Sequence, residues 1–224
     1  MKKLPVKWLN GLQHHEILCS KKYTDYMRQI IRQYLQNESG NRERQNIMEF
    51  TELASKRYSV RKFSRQKVEQ EKIDAILETG RLAPTAHNFQ PQRILVIQSE
   101  EGLSKVKECT KSHFDAPLVL LICYDKETCW VNFQGRKEGL VDASIVTTHM
   151  MYAAEQLGLG STWVGAFHAD KAIEVFNIPS NLEPVAMLPI GYPAENAKPS
   201  PLHYERFPIE KTVFYDTFDG VDNK

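Results

Sequence analysis

The chain has 224 residues, with 29 Lys and Arg against 28 Asp and Glu and a formal net charge of +1 at pH 7. That length supports one sizeable core, and the near-neutral balance supplies no long-range field for nucleic acid or an anionic membrane, so neither is expected as a partner. No run approaches the roughly 18 apolar residues of a membrane span, and Cys19, Cys109, Cys123 and Cys129 show no CxxC spacing, which argues against a zinc site, a redox dithiol or a disulfide scaffold. A soluble, cytoplasmic protein with free thiols and no metal is expected.

In chain order, Tyr23, Tyr26, Met27, Ile30, Ile31, Tyr34 and Leu35 fall at helical spacing, and the breaker stretch from Asn37 to Asn41 follows. This predicts one amphipathic helix and a linker. From Met48 the texture becomes regular, with helices expected near 49–57, 69–82, 138–157 and 170–177 and strands at 93–97, 117–123, 161–164 and 184–190. The segment from Gly139 to Leu157 carries Leu140, Ala143, Val146, Thr147, Met150, Ala153, Ala154 and Leu157 around much of its circumference. Such a helix is expected to be buried nearly all round, in the core or at a subunit interface. After Gly191 the chain is paced by Pro193, Pro199 and Pro201 and closes in an apolar, β-like run from Pro208 to Tyr215, suited to reach across a neighbouring subunit.

Four segments carry candidate chemistry. Lys56 to Phe63 crowds Arg57, Arg61, Lys56 and Lys62 around Tyr58 and Ser59, and guanidinium groups flanking a hydroxyl suit a phosphate through bidentate, charge-assisted bonds. A solvated basic turn explains the same stretch. The loop from Ala83 to Gln92 is pinned by Pro84 and Pro91 and presents the carboxamides of Asn88 and Gln90, which can donate and accept along a heterocycle edge; an ordinary capped turn is the other account. Gly158 to Phe167 brackets a strand with small residues that permit close backbone approach or merely a tight turn. His203 to Pro208 supplies a late arginine, Arg206, which alone reads as a surface residue.

In this order and at these separations, over residues 48 to about 215, the four segments resemble the nitroreductase family of flavoenzymes. Arg57 to Arg61 resembles the family's opening arginine-serine motif, Pro84 to Pro91 its serine/threonine-asparagine-glutamine-proline loop, and Asp142 to Gly160 its long central helix. Trp163 to Phe167 resembles the strand end that faces the flavin. Gly191 to Glu195, with Lys198, Pro199 and Arg206, resembles the phosphate-side segment near the C-terminus.

The resemblance implies an α+β fold, a three-layer α/β/α arrangement with a central, mostly antiparallel sheet, and a homodimer that exchanges its C-terminal strand. It implies FMN as cofactor, NAD(P)H as electron donor, and ping-pong hydride transfer to a small organic acceptor such as a nitroaromatic, a quinone or an enone. By position, Arg57, Ser59 and Arg206 would hold the FMN phosphate with Tyr58 beside them, and Arg61 would lie near the pyrimidine edge. Backbone groups of Gly165 and Ala166 would address the ring at N5 and the C4 carbonyl. Pro84, Thr85 and Ala86 would cover a flavin of the partner subunit, supported by Asn88 and Gln90. Flavin chemistry requires no side-chain acid or nucleophile, so no catalytic residue is expected.

Tyr58 stands where many relatives carry arginine or histidine, and Gln92 where tryptophan is common. No polar ring-contacting residue is recognisable between Cys109 and Phe114, and Trp130, Phe133 and Arg136, in the variable segment 126–138, are expected to shape acceptor choice. A flavin carrier or sensor without turnover is the alternative on the same scaffold. The expected domain is 48–218 with a tail at 219–224. Residues 1–47 lie outside the resemblance, as a helical extension with its linker or as translated leader before a start at Met48, the leader being preferred.

Overall fold

The computed structural model describes residues 50–218. The amphipathic helix expected before Met48, the choice between extension and leader, and the tail from 219 lie outside the described residues.

The first helix, α1 (Phe50–Lys56), is short and buries Leu53. It is joined to the body by the tilted contact of Phe50 with Tyr152, ring centroids 5.2 Å apart. Helix α2 (Gln70–Arg81) turns Ile73, Ile76 and Gly80 inward. A β-carbon at Gly80 would meet the Met150 side chain at 2.7 Å, so glycine here leaves room for Met150 to pack against α2. The buried carboxylate of Glu78 is matched bidentately by Arg81, at 2.7 Å to each oxygen.

Four strands form one antiparallel sheet in the order β1, β2, β4, β3. They are β1 (Gln92–Ile97), β2 (Leu118–Asp125), β3 (Gly160–Ser161) and β4 (Leu182–Gly191). Every residue of β2 is buried, as an unbroken apolar run in a central strand demands. Its alternate residues serve two cores. Leu118, Leu120 and Ile122 pack with Ile73, Ile76, Val146, Met150, Leu188 and Ile190. Val119, Leu121 and Cys123 pack on the other face with Ile97, Val106, Val164, Ala172 and Met187. Helices α2 and α4 (Gly139–Gln156) therefore cover one face, and α3 (Glu100–Cys109) and α5 (Ala169–Phe176) the other. This is the expected three-layer α+β arrangement. The β2–β4 register shifts between Ile122 and Cys123, where the partner passes from Ala186 to Pro184. Val185 is the extra residue on β4, a bulge in the ladder.

Helix α3 was not expected from the pattern. Its start is set by Ser99, whose hydroxyl accepts from the Gly102 N–H at 3.1 Å, and by Glu100 and Glu101 in the first turn. The strand expected at 161–164 is shorter and ends at Ser161: the Thr162 N–H still donates to the Pro189 carbonyl at 3.2 Å, and Val164 rejoins Met187 by an isolated bridge. The run 208–215 holds a 3₁₀ turn at Ile209–Lys211 and no strand. Helix α4 is buried on one face only, with Leu140 and Val141 about half exposed. The expectation of burial all round is corrected for the single chain: the helix has more apolar surface than its own core can cover.

Candidate functional site

Past α1 the backbone extends and is clamped by Val60. That side chain is fully buried, its N–H donates to the Ser161 carbonyl at 3.0 Å, and its carbonyl accepts from the Thr162 hydroxyl. Gly160 lies directly against the Val60 side chain, with no room for a β-carbon. Side chains alternate along an extended segment, so burying Val60 sends its neighbours Ser59 and Arg61 to the opposite side, while Arg57 still closes the last turn of α1 through its N–H to the Leu53 carbonyl at 3.0 Å.

Arg57 is half-buried, and its guanidinium is poorly satisfied. Nη1 reaches the Met151 sulfur at 3.8 Å, the group lies 5.9 Å over the Tyr152 ring, and the Nε–H is buried without a hydrogen-bond partner. A donor left this way is costly until an acceptor arrives, and the acceptor suited to a guanidinium is a carboxylate or phosphate. Glu155, one turn beyond Met151, is the nearby carboxyl; burial pushes its pKa up while Arg57 and Lys56 pull it down. Tyr58 is pushed up by burial, with Glu155 and Tyr204 adding to the effect. The Tyr58 ring meets His203 edge-on at 6.3 Å, which brings the Pro201–His203 turn beside the basic stretch. Arg206 follows three residues later, exposed, with its guanidinium on the backbone carbonyls of Leu202 and Glu205 at 3.4 and 2.6 Å. Arg61 is exposed and contacts the Ser59 carbonyl at 3.3 Å.

The segment 160–166 runs alongside this stretch, through a parallel bridge between Ser59 and Ser161. Gly165 and Ala166 emerge exposed just after the Val164–Met187 bridge. The Ala166 carbonyl is held by the buried Thr110 hydroxyl at 2.7 Å, and that oxygen also accepts from the Ser112 N–H at 3.0 Å. Sequence reasoning missed Thr110; its partner lies 56 residues away, beyond any local pattern.

The loop from Ala83 to Pro91 is elsewhere. Its Ala86–Asn88 turn is tied to the first turn of α4, where Asp142 Oδ1 accepts from the Ala86 N–H at 2.9 Å. Arg57 meets the same helix nine residues later, at Met151, about 13 Å along the axis at 1.5 Å per residue. The structure thus sets the Pro201–His203 turn beside Tyr58 and Ser161 beside Ser59; Gly165 and Ala166 follow four and five residues after that bridge, and Arg206 three residues after His203. It sets Pro84, Thr85, Ala86, Asn88 and Gln90 apart, at the other end of α4. Asn88 and Gln90 are exposed, and the Gln90 amide nitrogen bonds the Asn88 carbonyl at 3.2 Å. Beside this loop stands a row of rings: His87 stacks on Phe89 at 5.5 Å and meets Trp130 at 5.7 Å, and Trp130 meets the fully exposed Phe133 at 6.4 Å. The variable segment therefore touches the loop.

Two further facts bound the chemistry. No helix among the described residues is long and apolar enough to cross a membrane. Cys109, Cys123 and Cys129 are buried free thiols, and burial pushes Cys123 up to about 11.

Comparison with known proteins agrees with this architecture. The model of the nitroreductase family matches residues 54–119 and 111–192. A putative NADH dehydrogenase/NAD(P)H nitroreductase of Methanothermobacter thermautotrophicus is 30% identical over 178 residues, 71% of this chain and 88% of the relative. An FMN reductase [NAD(P)H] of Bacillus subtilis is 28% identical over 183 residues, 73% of this chain and 72% of the relative. Among solved structures, a nitroreductase family protein from Clostridium difficile 630 superposes with a TM-score of 0.72 at 44% identity, over 76% of this chain and 99% of that one. A nitroreductase-like protein from Exiguobacterium sibiricum, solved in complex with FMN, shares the fold with a TM-score of 0.67 at 24% identity, over 75% and 97% of the two chains.

Proposed function

The chain belongs to the nitroreductase family, and from that premise we propose that it is an FMN-dependent oxidoreductase that draws electrons from NAD(P)H and delivers them to a small organic acceptor. The acceptor class is nitroaromatic, quinone or enone. When bound, FMN supplies the two-electron carrier that NAD(P)H reduces and the acceptor reoxidises. The observation that carries the reading is Arg57, a half-buried guanidinium whose buried Nε–H has no hydrogen-bond partner, two residues before Ser59 and four before Arg61.

The chain's own groups have these roles. Arg57 and the Ser59 hydroxyl hold the phosphate, with Arg206 closing on it from the C-terminal segment and Tyr58 flanking. Arg61, charged at every relevant pH, supplies positive charge at the pyrimidine edge, where a reduced flavin is most negative. The backbone at Gly165 and Ala166 addresses the ring, held in place by Thr110. Pro84, Thr85 and Ala86, supported by Asn88 and Gln90, belong to the site of a second copy, which accounts for their distance from Arg57 along α4.

A homodimer follows from the same reading. Leu140 and Val141 on α4, and Leu202, Tyr204, Phe207, Ile209, Val213 and Tyr215 in the C-terminal segment, are exposed in the single chain. Apolar surface on that scale marks an interaction face. Exchange of the C-terminal segment would cover it and complete two sites. The proposed flavin domain is 48–218, and buried free thiols fit a reducing cytoplasm. Steady-state turnover with NADH and NADPH against a nitroaromatic, a quinone and an enone tests this. Parallel double-reciprocal plots with at least one acceptor are expected, and flavin-loaded protein that turns over none of them points instead to a carrier or sensor.

A further inference from the structure

The loop that the proposed function assigns to a partner's flavin carries three left-handed residues with side chains: His87 at φ 51°, Asn88 at φ 56° and Gln90 at φ 51°. Each is an unfavourable conformation that persists only where surrounding contacts over-determine it. Several bonds close the loop upon itself. Asn88 N–H donates to the Thr85 carbonyl at 3.0 Å, Phe89 N–H to the Ala86 carbonyl at 3.0 Å, and Gln90 N–H to the Thr85 hydroxyl at 3.1 Å. At its exit Arg93 bonds the Gln90 carbonyl at 3.2 Å and reaches Asp125 at 3.4 Å.

The bond that reaches from the loop into α4 is of another kind. Asp142 is 2% exposed; Oδ1 accepts from the Ala86 N–H at 2.9 Å, and Oδ2 is buried without a hydrogen-bond partner. A buried carboxylate with one oxygen unsatisfied is a poor device for stability, because its desolvation is only partly offset. Under-satisfied buried groups of this sort mark places where position matters more than stability.

We propose that Asp142 is a positioning residue for flavin binding: it fixes Ala86, and with it the strained 85–90 backbone, in the geometry that meets the partner's cofactor. This rests on the proposed function for the identity of what the loop meets, and on the Asp142–Ala86 bond for the anchoring itself. Asp142 bonds the loop, nine residues before the point where α4 meets Arg57, so its effect passes through the loop.

Two variants and two readouts test it. Asp142→Ala removes the acceptor, whereas Asp142→Asn keeps an oxygen at the same place. In flavin-free protein, hydrogen exchange at the amides of Asn88, Phe89 and Gln90, none of which Asp142 contacts, should speed up about tenfold or more in the Ala variant and little in the Asn variant. The Kd for added FMN should rise by a similar factor in the Ala variant alone. Wild-type protection of those amides in Asp142→Ala, or an equal loss in Asp142→Asn, overturns the proposal. Failure of the wild type to bind FMN would sink the proposed function instead, while the exchange result still decides the anchoring. Should Asp142→Ala not fold, Ala86→Pro removes the donor from the other end. The extended Thr85, at φ −133° and ψ 156°, and the first position of a 3₁₀ turn both tolerate proline, and the same loss of protection is then expected; retained protection overturns the proposal.

Discussion

Replacing Arg57 by Met separates binding from folding at the centre of the proposed phosphate site. In the single chain the guanidinium makes one weak sulfur contact at 3.8 Å and lies 5.9 Å over Tyr152; a cation–π contact of that kind contributes about 0.5–1 kcal/mol. Against this stands the buried, unpartnered Nε–H, a desolvation cost of about 1–3 kcal/mol. Methionine keeps an apolar stem against the Tyr152 ring and discards the stranded donor. Flavin-free protein should therefore keep its stability or gain up to about 2.5 kcal/mol. FMN binding should suffer, since a charge-assisted hydrogen bond contributes about 1.5–3 kcal/mol, or roughly 10- to 100-fold in Kd. Urea melts of flavin-free protein and fluorescence titration with FMN measure the two quantities on one sample. An unchanged Kd, or a melt showing the variant largely unfolded, would refute the assignment of Arg57 to the cofactor.

Three further outcomes are expected. Thr110→Val removes the hydroxyl shared by the Ala166 carbonyl and the Ser112 N–H, costing about 1 kcal/mol in a urea melt and loosening the ring-facing turn; a melt like the wild type's would show that water replaces it. Phe133→Ala, at a fully exposed position, should leave stability within about 0.5 kcal/mol yet reorder the acceptors by kcat/KM, and an unchanged order removes Phe133 from specificity. Burial raises Cys123 to about 11 and Tyr124 to about 12. Raised folded values mean that the neutral forms' contribution is intact below the unfolded values near 9 and 10, and is lost as pH climbs through about 11 and 12. Urea midpoints should accordingly be flat from this source below pH 9 and fall above it, and a Cys123 thiol freely reactive at pH 8 in folded protein would contradict the burial.

What could be read from residues alone divides along the range of the forces involved. The unbroken apolar run of β2 and the places of α2 and α4 as helices were legible because burial imprints a local period; that α4 would leave Leu140 and Val141 uncovered in one chain was not. Helix α3 was not, since Leu103, Val106 and Cys109 are sparse among charges and its clearest signal is the Ser99 cap. The order Arg57, Ser59, Arg61 was legible; that the burial of Val60 turns Ser59 and Arg61 to the other side was not, because it depends on Ser161 and Thr162 a hundred residues on. Asp142 and Thr110 escaped for the same reason, each bonding a backbone group 56 residues away. The run from Pro208 to Tyr215 and the outer side of α4 have no settled partner within one chain, so their apolar character was legible while their neighbours were not.

An absorbance spectrum of the purified protein, taken with FMN and then after anaerobic addition of NADH and of NADPH, tests the central claim most directly. Flavin bands that bleach within seconds with at least one donor are the predicted result, and bands that persist with both donors, or no bound flavin at all, would contradict it.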